Sequence, residues 1–135
     1  MIRSDDTGKL VLRLALGIMI LLHGLAKLST GVGPIVEMIS SRGLPGFLAY
    51  GVYVGEIIAP LLLILGLYTR VGAFIIFVNM VVALMLVHSG QFGSINPKTG
   101  GWSLELQGMF LFSALALFFT GAGRFSLGGA GGRWN

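Results

Sequence analysis

Six polar side chains stand out against their surroundings: His23, Lys27, Glu56, His88, Glu105 and Gln107. The stretches around them are almost wholly apolar. His23 and Lys27 are separated by one helical repeat, so on a helix they share a face. Glu56 lies roughly ten residues into an apolar run, which is near mid-depth for a membrane-length helix rising about 1.5 Å per residue. A carboxylate at that depth needs a cation, a donor or a proton. His88 closes one apolar run, Glu105 opens the next, and Gln107 follows closely. Such a set can handle protons and developing charge. Lys27 is suited to stabilising an anion, and Glu56 or His23 to carrying a proton. A structural reading competes with this one. Lys27 and Glu105 can snorkel to headgroups, and His88 can sit in a solvated loop. Glu56 fits that reading least, because ionisable groups within spans usually face the bundle interior.

The elements that must position these groups follow from composition. The chain has 135 residues, 55% hydrophobic and 10% charged, with a mean hydropathy of +0.90. Soluble domains carry roughly 25% charged residues. The polar surface needed to coat a globule in water is missing, which predicts an integral membrane protein. Apolar runs occupy residues 10–28, 46–67, 71–88 and 104–120. In lipid each must satisfy its own backbone, so each is a helix. None alternates as a barrel strand would. The expected fold is all-α: one membrane domain over residues 1–135, a four-helix bundle running up-down-up-down. No A-x-A site follows the first run, so it reads as a retained helix, not a cleaved signal. A Gly/Ser/Pro-rich connector, 29–45, holds a short interfacial helix at 35–41. Tyr68-Thr69-Arg70 makes a tight turn, residues 88–103 a polar loop, and Gly-rich 121–135 a flexible tail.

Basic residues orient the bundle. Arg3, Lys9, Arg13, Arg70, Arg124 and Arg133 fall on the side of the termini, against Lys27, Arg42 and Lys98 on the other. The positive-inside rule then puts both termini in the cytoplasm. Arg13 and Arg70 are expected at the inner headgroup level. His23, Lys27, His88 and Glu105 share the outer level, with Glu56 somewhat deeper. Gly51, Gly55 and Ala59 form a small-residue face beside Glu56 that admits a neighbouring helix. Pro60 has no N–H, so the Glu56 carbonyl loses its helical partner and a polar notch is expected there. Asn79 falls on the opposite side of a helical wheel from His88 and is expected to bond to another helix elsewhere.

Several chemistries drop out. Without cysteine there is no disulfide scaffold, iron–sulfur cluster or intrinsic thiol relay. The glycines of GGAGG follow no strand and precede no helix, so they make no nucleotide loop. A pI near 10.0 suggests nucleic acid, but the basic residues punctuate apolar segments and read as topology signals. No Ser-His-Asp set is present. The di-metal Glu-x-x-His pattern is absent, so no metal is assigned. Haem needs helices 1 and 3 to bring His23 and His88 together. A quinone pocket fits better: apolar walls, with His23, Lys27, Glu56, His88 and Gln107 at the polar end.

Three segments, HGLAKL (23–28), GEIIAPLLLILGLYTR (55–70) and ELQGMFLFSALALFFTGAGRFSL (105–127), resemble the DoxX family of small four-helix membrane proteins. The resemblance covers nearly the whole chain. The family commonly continues Ser-Leu with Asp; here Ser126-Leu127 is followed by Gly128. The resemblance implies four spans in the cytoplasmic (inner) membrane of a bacterium or archaeon. Some relatives are subunits of a thiosulfate:quinone oxidoreductase, and others belong to thiol-redox and oxidative-stress complexes. It therefore implies a quinone-linked redox component with candidate residues His23, Lys27, Glu56 and Glu105. Such a component acts alone, as a homo-oligomer or with a redox partner protein. The alternative is a non-enzymatic scaffold or partner subunit whose polar cluster is structural. A proton-coupled carrier using Glu56 ranks below both, because no inverted repeat is visible.

Overall fold

The computed structural model describes residues 4–135. Arg3, one of the orienting basic residues, lies outside them. Helix α1 (Ser4–Thr30) begins well before the apolar run. Asp5 and Asp6 in its first turn and Lys27 in its last complement the helix dipole. Gly31, at φ +80°, breaks it. Helix α2 (Gly33–Ser41) is the short helix of the connector and starts with proline in its first turn.

Helix α3 (Gly46–Leu65) is irregular. It opens as a 3-10 turn over Gly46–Tyr50 and widens to a π-turn over Val54–Ile58. It then resumes α geometry over Ala59–Leu65. Pro60 removes the donor that the Glu56 carbonyl would use, and the π-turn absorbs the mismatch at that point. Gly66 closes α3 in the left-handed region, with Leu67 N–H donating to Leu62 O at 3.0 Å. Helix α4 (Thr69–Val87) follows after a tight turn, and a long polar loop leads to α5 (Glu105–Thr120). Among the described residues there is no strand; Ile95 and Trp102 form an isolated bridge.

The helices pack around Leu16, Ile20, Leu63, Ile76, Phe110 and Leu117. Small residues let backbones meet. A side chain at Gly17 would meet the Pro60 carbonyl at 3.1 Å, and one at Gly72 the Ala59 carbonyl at 3.0 Å. A second cluster, Val32, Ile39 and Ala49, joins α2 to the start of α3 and to Leu86 of α4. Many large apolar side chains point outward, among them Val11, Leu22, Phe74, Met85, Met109 and Phe119. Helices α1, α3 and α4 are long and apolar enough to cross a membrane, and α5, at 16 residues, is a shorter apolar helix.

The last fifteen or so residues differ from expectation. Sequence composition predicts a flexible tail over 121–135, whereas the structure folds it back across the helix ends. Asn135 is buried, its Oδ1 accepts from Thr69 N–H at 3.0 Å, and Trp134 O accepts from Arg70 N–H at 3.0 Å. These acceptors satisfy first-turn donors of α4 that no intrahelical partner can reach. Leu127 and Gly128 N–H donate to the Leu65 and Gly66 carbonyls that end α3. Arg13 differs too. It does not snorkel to a headgroup but is 1% exposed, donating to Ala122 O and Phe125 O at 2.8 Å each. Arg70 donates to Phe118 O and Phe119 O, the last carbonyls of α5. The glycines that made this segment look unstructured are what let its backbone lie against other backbones.

Candidate functional site

The widened turn of α3 sets Glu56 facing α1 and α4. A side chain at Gly24 of α1 would collide with the Glu56 carbonyl, so only glycine permits that approach. One at Gly55 would meet Asn79 of α4 at 2.6 Å. The two glycines thus bring both neighbouring helices onto the turn that carries the carboxylate. Of the small-residue face read in the sequence, Gly55 and Ala59 are packed, while Gly51 has open space beside it.

Lys27 Nζ reaches across from α1 and donates to both Glu56 oxygens at 2.6 Å. Asn79 Nδ2 donates to Glu56 Oε1 at 3.3 Å. Tyr53 Oη donates to the Lys27 carbonyl at 3.2 Å. The carboxylate side chain is 6% exposed and the lysine side chain 30%, so the pair is buried at the anion and accessible at the cation. Removal from water costs each ion several kcal/mol by general estimates; two-point contact and the asparagine donor are the compensation.

This group forms part of the wall of a cavity of about 680 Å³. Apolar side chains from α2, α3 and α4 make most of the wall, and α1 and α5 complete it with Ile20 and Phe110. His23, Lys27, Glu56, His88 and Gln107 all line it, so five of the six residues singled out in the sequence share one cavity. Only Lys27 and Glu56 touch each other directly. His23 sits one turn along α1, with Nδ1 at 2.9 Å from the Met19 carbonyl and its ring edge-on to Phe110. His88 bonds through Nδ1 to Gln91 Oε1 at 3.0 Å.

Glu105 is absent from the cavity wall. It is exposed, in the first turn of α5, with its carboxylate over Gly101. An acid there is favourable to the helix dipole without any partner. Asn79 was missed. The wheel placed it away from His88, but His88 is already past the regular end of α4, and the cavity wraps round the helix. The usable signal was Gly55 beside Glu56: a glycine there admits another helix, and Asn79 is the amide that α4 offers. Among the described residues no group of three or more His, Cys, Asp or Glu is arranged to hold a metal ion.

A family model named DoxX matches residues 8–89, the part of the chain that carries His23, Lys27, Glu56 and Asn79. "Putative oxidoreductase CatD" of Bacillus subtilis (strain 168) is 33% identical over 120 residues, covering 89% of this chain and 84% of that one. An uncharacterized protein of Haemophilus influenzae (strain ATCC 51907 / DSM 11121 / KW20 / Rd) is 37% identical over 119 residues, covering 86% and 84%. No solved structure matches the chain significantly. The chain belongs to the DoxX family and is a membrane protein with apolar spanning helices.

Proposed function

We propose that this DoxX-family membrane protein is a redox component whose cavity binds a quinone-class ring at the Lys27–Glu56 pair. The observation that carries this reading is a buried ion pair in the wall of an apolar cavity of about 680 Å³. Small-molecule sites typically enclose 300–1,000 Å³ and combine apolar walls with a few convergent polar groups. The residues fit such a ring. A bound quinone supplies reversible two-electron, two-proton chemistry. The chain supplies position and charge. Both oxygens of Glu56 hold Lys27 in place, which leaves the third ammonium proton for a ring oxygen. Asn79 fixes the carboxylate, and the apolar wall keeps water from weakening these contacts. Because the chain has no cysteine, any thiol chemistry coupled to the ring must occur on a partner protein or a small substrate. The name of the Bacillus subtilis relative agrees with this reading.

The bundle that serves this role has four membrane-crossing helices in up-down-up-down order. It lies in the inner membrane of a bacterium or archaeon, with both termini in the cytoplasm. The uneven distribution of basic residues supports that orientation. A second reading has its own support. Lys27, Glu56 and Asn79 tie α1, α3 and α4 together, as the core of a non-enzymatic scaffold would.

The test is direct. Protein purified in native lipid should retain quinone on solvent extraction, and Lys27→Met should lose it while still folding. Absence of quinone from the wild type, with no binding of added quinone, would favour the scaffold.

A further inference from the structure

We infer that His23 makes the cavity prefer the reduced, hydroxyl-bearing form of the ring over the oxidised form; this rests on the quinone-class site proposed above. The Met19 carbonyl has no proton to give, so the 2.9 Å contact requires His23 Nδ1–H to be the donor. In the neutral imidazole the other nitrogen, Nε2, is then a bare acceptor. Among the described residues Nε2 has no hydrogen-bond partner. The ring lines the cavity and is held edge-on to Phe110, with centroids 5.7 Å apart and planes at 87°. The helix carbonyl on one side and the aromatic ring on the other thus hold the imidazole in one orientation, on a residue that shares the cavity wall with Lys27.

The other polar groups of the cavity discriminate less. Glu56 already accepts from Lys27 at both oxygens and from Asn79 at Oε1, which fills three of its roughly four lone-pair sites. The remaining Lys27 proton suits any ring oxygen, carbonyl or hydroxyl. His88 bonds to the side-chain amide of Gln91, whose oxygen and nitrogen can exchange places by rotation, so its tautomer is not fixed. His23 alone is tied to a backbone carbonyl. A ring hydroxyl donates to Nε2, whereas a ring carbonyl sets two acceptors against each other. A site that hydrogen-bonds a hydroxyl rejects an analogue lacking it, because its own polar group is left unpaired.

The experiment uses the full chain in lipid nanodiscs without oxygen. Three probes of similar shape are compared: a decyl-substituted benzoquinone, its hydroquinone, and the hydroquinone dimethyl ether. The hydroquinone should bind about tenfold more tightly than the other two, the scale of one well-placed hydrogen bond. In His23→Phe, which keeps the aromatic contact with Phe110, the three affinities should converge. His23→Gln, which offers an amide oxygen, should retain part of the preference. Equal binding of all three by the wild type would overturn the inference and leave the quinone-class site standing. A preference that survives in His23→Phe would also overturn it. Binding of none would overturn both.

Discussion

Helix α1 carries two cations toward the bundle interior, Arg13 near one end and Lys27 near the other, and they are satisfied in opposite ways. Arg13 is fully buried and donates only to backbone carbonyls of the returning C-terminal segment. Its charge is spread over neutral dipoles in a region where backbone meets backbone. Lys27 donates to a carboxylate, is about a third exposed, and borders a cavity. The first arrangement uses both terminal guanidinium nitrogens in closing the structure, though among the described residues Nε finds no partner. The second leaves a cation and an imidazole in the wall of a cavity. A polar group in a membrane helix is thus not by itself a sign of chemistry. What distinguishes the two regions is whether the donors end on the protein or on a space that can hold a ligand.

The largest effect is expected where nothing faces the cavity. Arg13→Met should lower stability by about 3–5 kcal/mol, since two charge-assisted bonds vanish and two carbonyls lose their donor. Unfolding in bicelles with a graded denaturant would measure it, and limited proteolysis should then cut within residues 121–135. A variant as stable and as protease-resistant as the wild type would show that Arg13 does not hold the C-terminal segment in place. Quinone binding by any fraction that still folds should persist.

Lys27→Met should cost less, about 2–4 kcal/mol, because Asn79 still donates to the carboxylate that loses its cation. A double change should recover much of the loss. Lys27→Met with Glu56→Leu replaces a buried pair by apolar groups, which is often close to neutral. Strict additivity of the two single effects would show that the ion pair is not energetically coupled. The stable double variant should nevertheless lose quinone retention.

Asn135→Ala comes next, at about 1–2 kcal/mol. The change removes the acceptor for Thr69 N–H and a donor to Gly129 O at 2.7 Å. Thermal unfolding should detect a lower midpoint with no change at the cavity. An unchanged midpoint would mean that water satisfies Thr69 equally well.

Much of the Lys27 region was legible in the sequence, and little of the Arg13 region was. Hydropathy located the helices because lipid forces every spanning backbone to pair with itself. Lys27 and Glu56 stood out because charge in an apolar run needs a partner. The interhelical bond of Asn79 was legible but its place in the site was not, because a wheel describes one helix and the cavity is made by several. The folded tail escaped for another reason. Its bonds run mostly through its own backbone groups, and glycine-rich composition is the same whether a segment packs or stays free. The role of Arg13 depended on that segment, so a reading that left the tail free could only send Arg13 to the headgroups.

The smallest effect is expected at Glu105, and it separates spacing from position. Sequence alone groups Glu105 with His23, Lys27 and His88, because alternating helices put all of them at one level. Level is a single coordinate, and a site requires a shared direction as well. In the structure Glu105 is exposed at the start of α5 and absent from the cavity wall, whereas Gln107, two positions on, lines it. Replacing the acid by its neutral amide removes a favourable interaction with the helix N-terminus that solvent already weakens. Glu105→Gln should therefore change stability by less than about 0.5 kcal/mol. It should leave quinone retention at the wild-type level, and its effect should simply add to that of Lys27→Met. Coupling of about 1 kcal/mol or more between Glu105 and Lys27 would place the acid within reach of the cation. The polar site would then extend across α5 to the exposed face that carries Glu105.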